Sequence, residues 1–408
     1  MLRKFQIINP EFTLYLITRV IFTSGMKMVP VLLGWYLYET TGSKLALGIL
    51  GLSEVIPAIL LALPAGVKVD SSPKRSLILK CLGAYTLITV LLCLVTADSF
   101  VPVNLSYTKE YFIYFLVGLT GWARAYMSPS FSAIIAQLVP QEALVHAASV
   151  NSMSWLIAAI IGPTLAGLLI GFLEISVSFL VVTIFLLIAL FIFRNIKEKE
   201  VSYDKGKTRT WHSVLEGLRF VRDQKALFGA MGLDMFAVLF GGAVALLPVF
   251  AKDILQVGPQ AFGLLLSATY LGNFLAILYL TKYPLAKRQG YKLLYSVAGF
   301  GLCIIIFALS KSYWLSFAAL LVSGLFDGVS VIIRGTVFQL LVPDAMRGRV
   351  SSVSSIFINS SNELGQFESG VAASILGTVP SVVFGGCMTL LVTAIAWVKT
   401  PALKKLEY

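Results

Sequence analysis

The chain has 408 residues, 58% of them hydrophobic and only 13% charged, with a formal net charge of +12 and a mean hydropathy of +0.87. A soluble protein carries about 25% charged residues, so the composition excludes an ordinary soluble domain and points to a polytopic membrane protein. Nucleic-acid binding would need a folded basic domain, and the basic residues sit between apolar runs instead.

A membrane span needs about 20 apolar residues. Arg3 and Lys4 precede an apolar run at 12–38, which is too long for a signal-peptide core and lacks a cleavage site, so it is predicted to remain as span 1. Spans 2 to 6 follow at 45–67, 76–97, 110–138, 145–173 and 177–194. A polar linker at 195–226 contains apolar residues at helical spacing from Trp211 to Val221, which predicts an amphipathic helix on the membrane surface. Spans 7 to 12 are predicted at 227–251, 260–284, 291–310, 313–341, 350–377 and 381–399. The expected fold class is therefore an all-α integral membrane protein of twelve transmembrane helices. Its domains are a six-helix bundle at 1–194, the linker at 195–226 and a second six-helix bundle at 227–408.

With both termini in the cytoplasm, the inner segments hold 24 of the 32 Lys and Arg residues, and the outer loops hold only Lys44, Lys109, Lys252 and Lys311. This is the positive-inside bias, and it explains the net charge as topology. Cys81, Cys93, Cys303 and Cys387 are scattered singly without metal-ligand or redox spacing, and His146 and His212 are too far apart to share a metal. No cofactor is expected. Asn104-Leu-Ser106 fits a glycosylation sequon of a kind that also arises by chance.

A shift of 203 residues aligns the two halves without gaps over a long stretch. Gly121-Trp-Ala-Arg124 falls on Gly324-Leu-Phe-Asp327, Gln137-Leu-Val-Pro140 on Leu340-Leu-Val-Pro343, and Gly162 and Gly167 on Gly365 and Gly370. A parallel repeat of two six-helix halves is the layout of the major facilitator fold, in which spans 3, 6, 9 and 12 face lipid. The charges within spans agree with this assignment. Arg19, Lys27, Glu54, Arg124, Asp234, Asp327, Arg334, Glu363 and Glu368 lie in spans 1, 2, 4, 7, 10 and 11, and spans 3, 6, 9 and 12 hold only Lys80, Arg194, Lys292 and Lys399, which lie at their cytoplasmic ends and are counted with the inner segments.

The order of motifs resembles the secretion-effector branch of the major facilitators, which contains macrolide-efflux and enterobactin-exporter-like proteins. The resemblance covers nearly the whole chain. It rests on GWYLYETTGSKLALGILGLSEVIPA (34–58), PSFSAIIAQLVPQEALVHAASVNSMSW (129–155), IIGPTLAG (160–167) and LVPDAMRGRVSS (341–352). The loop between spans 2 and 3 departs from the superfamily pattern: it reads Gly66-Val-Lys-Val-Asp70-Ser-Ser-Pro-Lys74-Arg75, without the Arg that usually follows the Asp. The family's antiporter signature ends Gly-Pro-x-x-Gly-Gly, and here it ends Gly162-Pro163-Thr-Leu-Ala166-Gly167, where the alternative reading is a simple kink. The resemblance implies roles for Asp70, Lys74, Arg75, Arg347 and Arg349 as the cytoplasmic loop motif.

At 1.5 Å per residue, Lys27, Glu54, Arg124, Asp327 and Glu363 fall near the midplane, while Arg19, Asp234 and Arg334 lie about two turns from the cytoplasmic ends of their spans. The first group is the candidate proton and substrate site, together with Asn359 and Gln366. The second is a candidate inner ion-pair gate. Arg124 and Asp327, at equivalent repeat positions, either form a pair or bipolar site across the pseudo-two-fold axis, or each pair within their own half, or contact substrate without pairing. On span 11, Asn359, Asn362, Glu363, Gln366 and Gly370 share one face and Glu368 points nearly opposite. Glu363 is therefore expected to face the cavity, and Glu368 to hold helices together with Gly162, Pro163 and Gly167. A carboxylate in a low-dielectric site can exchange protons near neutral pH, so Glu363 is the expected proton carrier.

These features predict a secondary active transporter, a proton-coupled exporter of an amphipathic small molecule such as a drug or siderophore, working by alternating access. The alternatives are a carrier of a charged metabolite or lysolipid, a membrane enzyme, or a transceptor. An enzyme would need clustered His, Asp or Cys at a membrane face, and a transceptor would normally add a soluble domain. The expected partners are the small-molecule substrate, protons and the lipid bilayer, with no nucleic acid. The chain is expected to be monomeric in the plasma membrane.

Overall fold

A computed structural model describes residues 9–97, 106–199, 211–285 and 287–407. Helix α1 (Pro10–Thr41) starts at a strong local signal. The Asn9 side chain accepts from the Phe12 amide at 2.7 Å, and Pro10 occupies the first turn, where no amide donor is needed. Asn9 also donates to the Leu138 carbonyl at 2.6 Å, closing the end of α4 (Ser106–Leu138). Helices α2 (Lys44–Ser71), α3 (Lys74–Thr96), α5 (Leu144–Phe172) and α6 (Ile175–Arg194) complete the first six.

The second six are α8 (Lys225–Gly241), α10 (Pro259–Lys282), α11 (Gln289–Leu309), α12 (Tyr313–Leu341), α13 (Asp344–Leu376) and α14 (Thr378–Lys399). Ten helical segments among the described residues are long and apolar enough to cross a membrane. The other two long helices, α4 and α13, have 33 residues each, which is ~50 Å of helix and ample for a bilayer. Their polar residues lower the mean hydropathy. The chain is thus an all-helical multi-pass membrane protein, as predicted.

One predicted span is not continuous. The expected helix at 227–251 breaks after α8 at Gly241 and Gly242, runs through a 3-10 turn at Ala243–Leu246 and short α9 (Leu247–Val249), and ends in a π-turn at Phe250–Ile254. Paired glycines and Pro248 weaken the helical ladder there. The Ser369 hydroxyl on α13 donates to the Gly242 carbonyl at 3.2 Å, so one carbonyl freed by the break is satisfied within the protein.

Contacts divide the chain into two units, residues 1–36 with 53–208 and residues 37–52 with 209–408. In this division 37–52 groups with the second unit. The cause is close backbone approach. A Cβ on Gly370 would stand 2.7 Å from the Gly48 Cα, and a Cβ on Gly51 would stand 2.9 Å from the Gln366 Oε1. The Tyr38 hydroxyl also donates to Asp253, and Lys252 lies 4.0 Å from Glu39.

The first unit is centred on an aromatic cluster in which Phe131 meets Tyr15, Phe22 and Phe193 at 5.8–6.1 Å between centroids. On α6, Val177, Leu180, Ile184, Ile188 and Phe191 are exposed along one face, as a peripheral span requires. In the second unit, Val221, Leu227, Leu233, Leu293, Ile333 and Val350 lie in a common apolar core. On α14, Phe384, Leu391, Ile395 and Val398 are exposed, matching the predicted lipid-facing position of span 12.

Candidate functional site

In the first unit the charges are held by α1, α2, α4 and α5. Gly121 lets α4 lie against the α2 backbone, since a Cβ there would collide with the Glu54 carbonyl. One turn on, Arg124 donates to Glu54 Oε1 at 2.8 Å. Gly162 plays the same part between α5 and α1, where a Cβ would stand 2.7 Å from the Ser24 carbonyl and 2.8 Å from the Lys27 Cβ. Lys27 Nζ then rests 5.3 Å from the Trp155 ring centroid, a cation–π contact. Pro163, Ala166 and Gly167 are buried on the same helix, so Gly162 and its neighbours do form a helix contact. Arg19 lies over Phe131, 4.7 Å from the ring centroid.

The second unit repeats this arrangement with the charges changed. Gly324 lets α12 meet α10, because a Cβ would collide with the Thr269 carbonyl. One turn on, Asp327 accepts from Asn273 Nδ2 at 2.7 Å. Arg124 and Asp327 therefore reach corresponding neighbouring helices, each inside its own unit. Both contacts are local, within one unit each.

Arg334 lies two turns further along α12 and joins the predicted layers. It is ion-paired with Asp234 on α8, and its Nη2 lies 3.8 Å from Asp327 Oδ1. Its Nε donates to the Ser330 carbonyl at 3.3 Å. Asp234 is buried, 7% exposed. Two carboxylates thus share one guanidinium, and Asp327 holds Asn273 as well. Of the three residues grouped by depth, Asp234 and Arg334 are paired, Arg19 lies in the other unit, and Arg334 also reaches Asp327.

The α13 stripe has a different environment from the one expected. Glu363 is 6% exposed, whereas Glu368 is half-buried. On the stripe face the Gly48–Gly51 stretch of α2 meets Gln366, Gly370 and the Glu363 carbonyl, while Asn362 is exposed. On another face, Gly365 approaches the Val238 and Leu239 carbonyls of α8. Helical period locates a polar face but does not say whether water or a glycine-lined helix meets it. The side chain of Asn359 lies outside the described residues.

The loop residues serve helix ends. Lys74 Nζ donates to the Val69 carbonyl and, at 3.1 Å, to the Ser72 carbonyl. Arg75 donates to the Arg194 carbonyl at 2.7 Å and lies 3.8 Å from Glu198. These contacts satisfy carbonyls at the C-terminal ends of α2 and α6. The side chain of Asp70 is outside the described residues, and Arg347 is exposed. Arg349 pairs with Glu216 at 2.5 Å on α7 (Trp211–Asp223). A Cβ on Gly217 would stand 2.8 Å from the Arg349 carbonyl, so the amphipathic helix docks on α13.

Sequence reasoning missed Asn273, Ser369 and the Tyr38–Asp253 bond. Asn273 carried a usable signal, an amide within span 8. Ser369 and Tyr38 carried none, because their partners become neighbours only through tertiary folding.

A sequence profile described as transmembrane secretion effector matches residues 7–407. The chain is 24% identical over 379 residues to the staphyloferrin A transporter of Staphylococcus aureus (strain NCTC 8325 / PS 47), covering 92% of this chain and 93% of that one. It is 24% identical over 291 residues to the enterobactin exporter EntS of Escherichia coli O1:K1 / APEC, covering 71% and 67%. Among solved structures, a bacterial homolog to the human lysosomal transporter Spinster, inward-facing and unoccupied, gives a TM-score of 0.74 at 16% identity over 98% of this chain and 99% of that chain. The nucleoside transporter NupG gives 0.73 at 14% identity over 98% and 100%. The structural likeness carries the fold.

Proposed function

The chain belongs to the transmembrane secretion effector family of major facilitator transporters, and from that premise we propose that it is a proton-coupled exporter of an anionic secreted metabolite of the siderophore kind. It works in the plasma membrane by alternating access, with both termini in the cytoplasm. The observation that carries the coupling is Arg334, shared by Asp234 and Asp327 in the interior of the second unit.

With both carboxylates ionised, the cluster holds two negative charges against one positive charge. A proton on either carboxylate leaves one matched ion pair. Taking up or releasing one proton would therefore switch the cluster between a matched and an unmatched charge state. A carrier that must exchange a proton for its cargo needs such a bistable group. The names of the relatives supply the cargo class, since one transports staphyloferrin A and another exports enterobactin.

The test compares cells that lack the protein with cells that express it. Mass spectrometry of medium and cytoplasm should show one secreted anionic metabolite retained inside when the protein is missing. Its release should slow when a protonophore collapses the gradient. If no metabolite changes, or if it accumulates only from outside, the export reading fails.

A further inference from the structure

Arg19 differs from every other charge placed inside the spans of the first unit. Glu54 is occupied by Arg124, and Lys27 lies on Trp155. Arg19 has no carboxylate partner among the described residues, and its buried Nε has no hydrogen-bond acceptor. Its terminal nitrogens have no acceptor there either, and on this largely buried side chain they keep a little open surface.

An arginine inside a membrane is rare and normally paired. Here the guanidinium carbon lies over the Phe131 ring, 4.7 Å from the centroid. That contact uses no N–H group. Phe131 is itself fixed. Phe22 stacks on it at 5.8 Å, and the Tyr15 hydroxyl lies 2.9 Å from its carbonyl oxygen. The same hydroxyl lies 2.7 Å from the Asn151 side-chain amide. A tyrosine has one proton to donate. If it donates to the carbonyl, Asn151 turns its NH2 toward the hydroxyl oxygen. Tyr15, one turn before Arg19 on α1, thus ties both Asn151 and the backbone of Phe131 to α1.

We propose that Arg19, held over the Phe131 ring one turn from Tyr15, is an anion-binding subsite in the first unit. It takes a planar pair of anionic oxygens, a carboxylate or an ionised catechol edge, from the transported metabolite. The guanidinium fork matches such a pair with two parallel hydrogen bonds, which a lysine cannot do. The assignment rests on the anionic-metabolite reading for its biological source, but not for its chemistry.

The experiment uses the full-length protein in lipid nanodiscs and isothermal titration calorimetry. Citrate probes the carboxylate source, 4-nitrocatechol the catecholate source, and trimethyl citrate is the uncharged control. The wild type should bind at least one anionic probe and not the control. Arg19→Gln should weaken that binding at least tenfold. Arg19→Lys, which keeps the charge and gives a second variant if the first folds poorly, should weaken it severalfold. The probe that binds identifies the oxygen source. Wild-type protein that binds neither anion overturns the proposal, as do variants that bind like the wild type. The export reading is judged separately, by metabolite release from cells, so a bound anion without export leaves the subsite standing and removes the export reading.

Discussion

Arg124 on α4 donates to Glu54 on α2 at 2.8 Å, one turn from Gly121, the residue that lets the two helices meet. Both side chains are about one-fifth exposed, at 23% and 19%. Removing one partner should cost about 1–3 kcal/mol, below the figure for a fully buried pair. Arg124→Gln and Glu54→Gln should each lower the melting temperature in detergent, and the swap Arg124→Glu with Glu54→Arg should recover part of the loss. Recovery by Arg124→Asp with Asp327→Arg instead would show that the charges compensate between repeats.

The shared guanidinium makes a sharper test of coupling. Asp327→Asn keeps the Asp234–Arg334 pair and the size of the side chain, but cannot take up a proton at that position. In proteoliposomes it should abolish transport driven by a pH gradient while sparing exchange at equal pH. Glu363→Gln should retain gradient-driven transport, because α2 lies against the Glu363 face of α13. The opposite result for the two variants would move the proton to Glu363.

Gly48 and Gly370 set how closely α2 lies on α13. Gly370→Val adds volume where a Cβ already stands 2.7 Å from the Gly48 Cα. Overpacking of this kind costs about 1–3 kcal/mol, and transport should fall with it. Gly335→Ala meets nothing within 4 Å and should leave melting and transport unchanged. Equal behaviour of the two variants would show that the approach has no consequence.

Topology can be read by impermeant thiol labelling. Single cysteines replacing Lys44 and Lys311 should react from outside, and those replacing Lys74 and Lys404 should not. Lys109 is a poorer reporter than its loop position indicates, being only 7% exposed, and a cysteine there should react slowly from either side. Reaction at Lys74 and Lys404 but not at Lys44 and Lys311 would invert the orientation.

Docking of α7 on α13 should be visible by hydrogen exchange. Glu216→Lys places two positive charges together where Glu216 and Arg349 now pair at 2.5 Å. Gly217→Leu inserts a side chain where a Cβ would stand 2.8 Å from the Arg349 carbonyl. Both should speed exchange across 211–223. Unchanged exchange in the two variants would mean that the helix is held by other contacts.

The sequence alone determined the class, the span pattern and the repeat. Hydropathy identifies segments that need a bilayer, because unpaired backbone groups are not tolerated there and helices satisfy their own. The distribution of Lys and Arg gave a predicted orientation, since charge bias in short loops reflects insertion. The gapless 203-residue shift paired Gly121 with Gly324 and Arg124 with Asp327. The structure bears this out by placing both glycines at corresponding helix crossings.

Only tertiary structure decided the partners. Arg124 found Glu54, 70 residues away, and Asp327 found Asn273, 54 residues away. Helical period gives the face of each residue but not the rotation or approach of the neighbouring helix. At Gly48 and Gly370 that approach brings α2 against the face the sequence assigned to the cavity. Nor does counting along a span reveal that Arg334 reaches both Asp234 and Asp327. That reach depends on how α8 and α12 cross, which is set by side-chain packing at every contact along them.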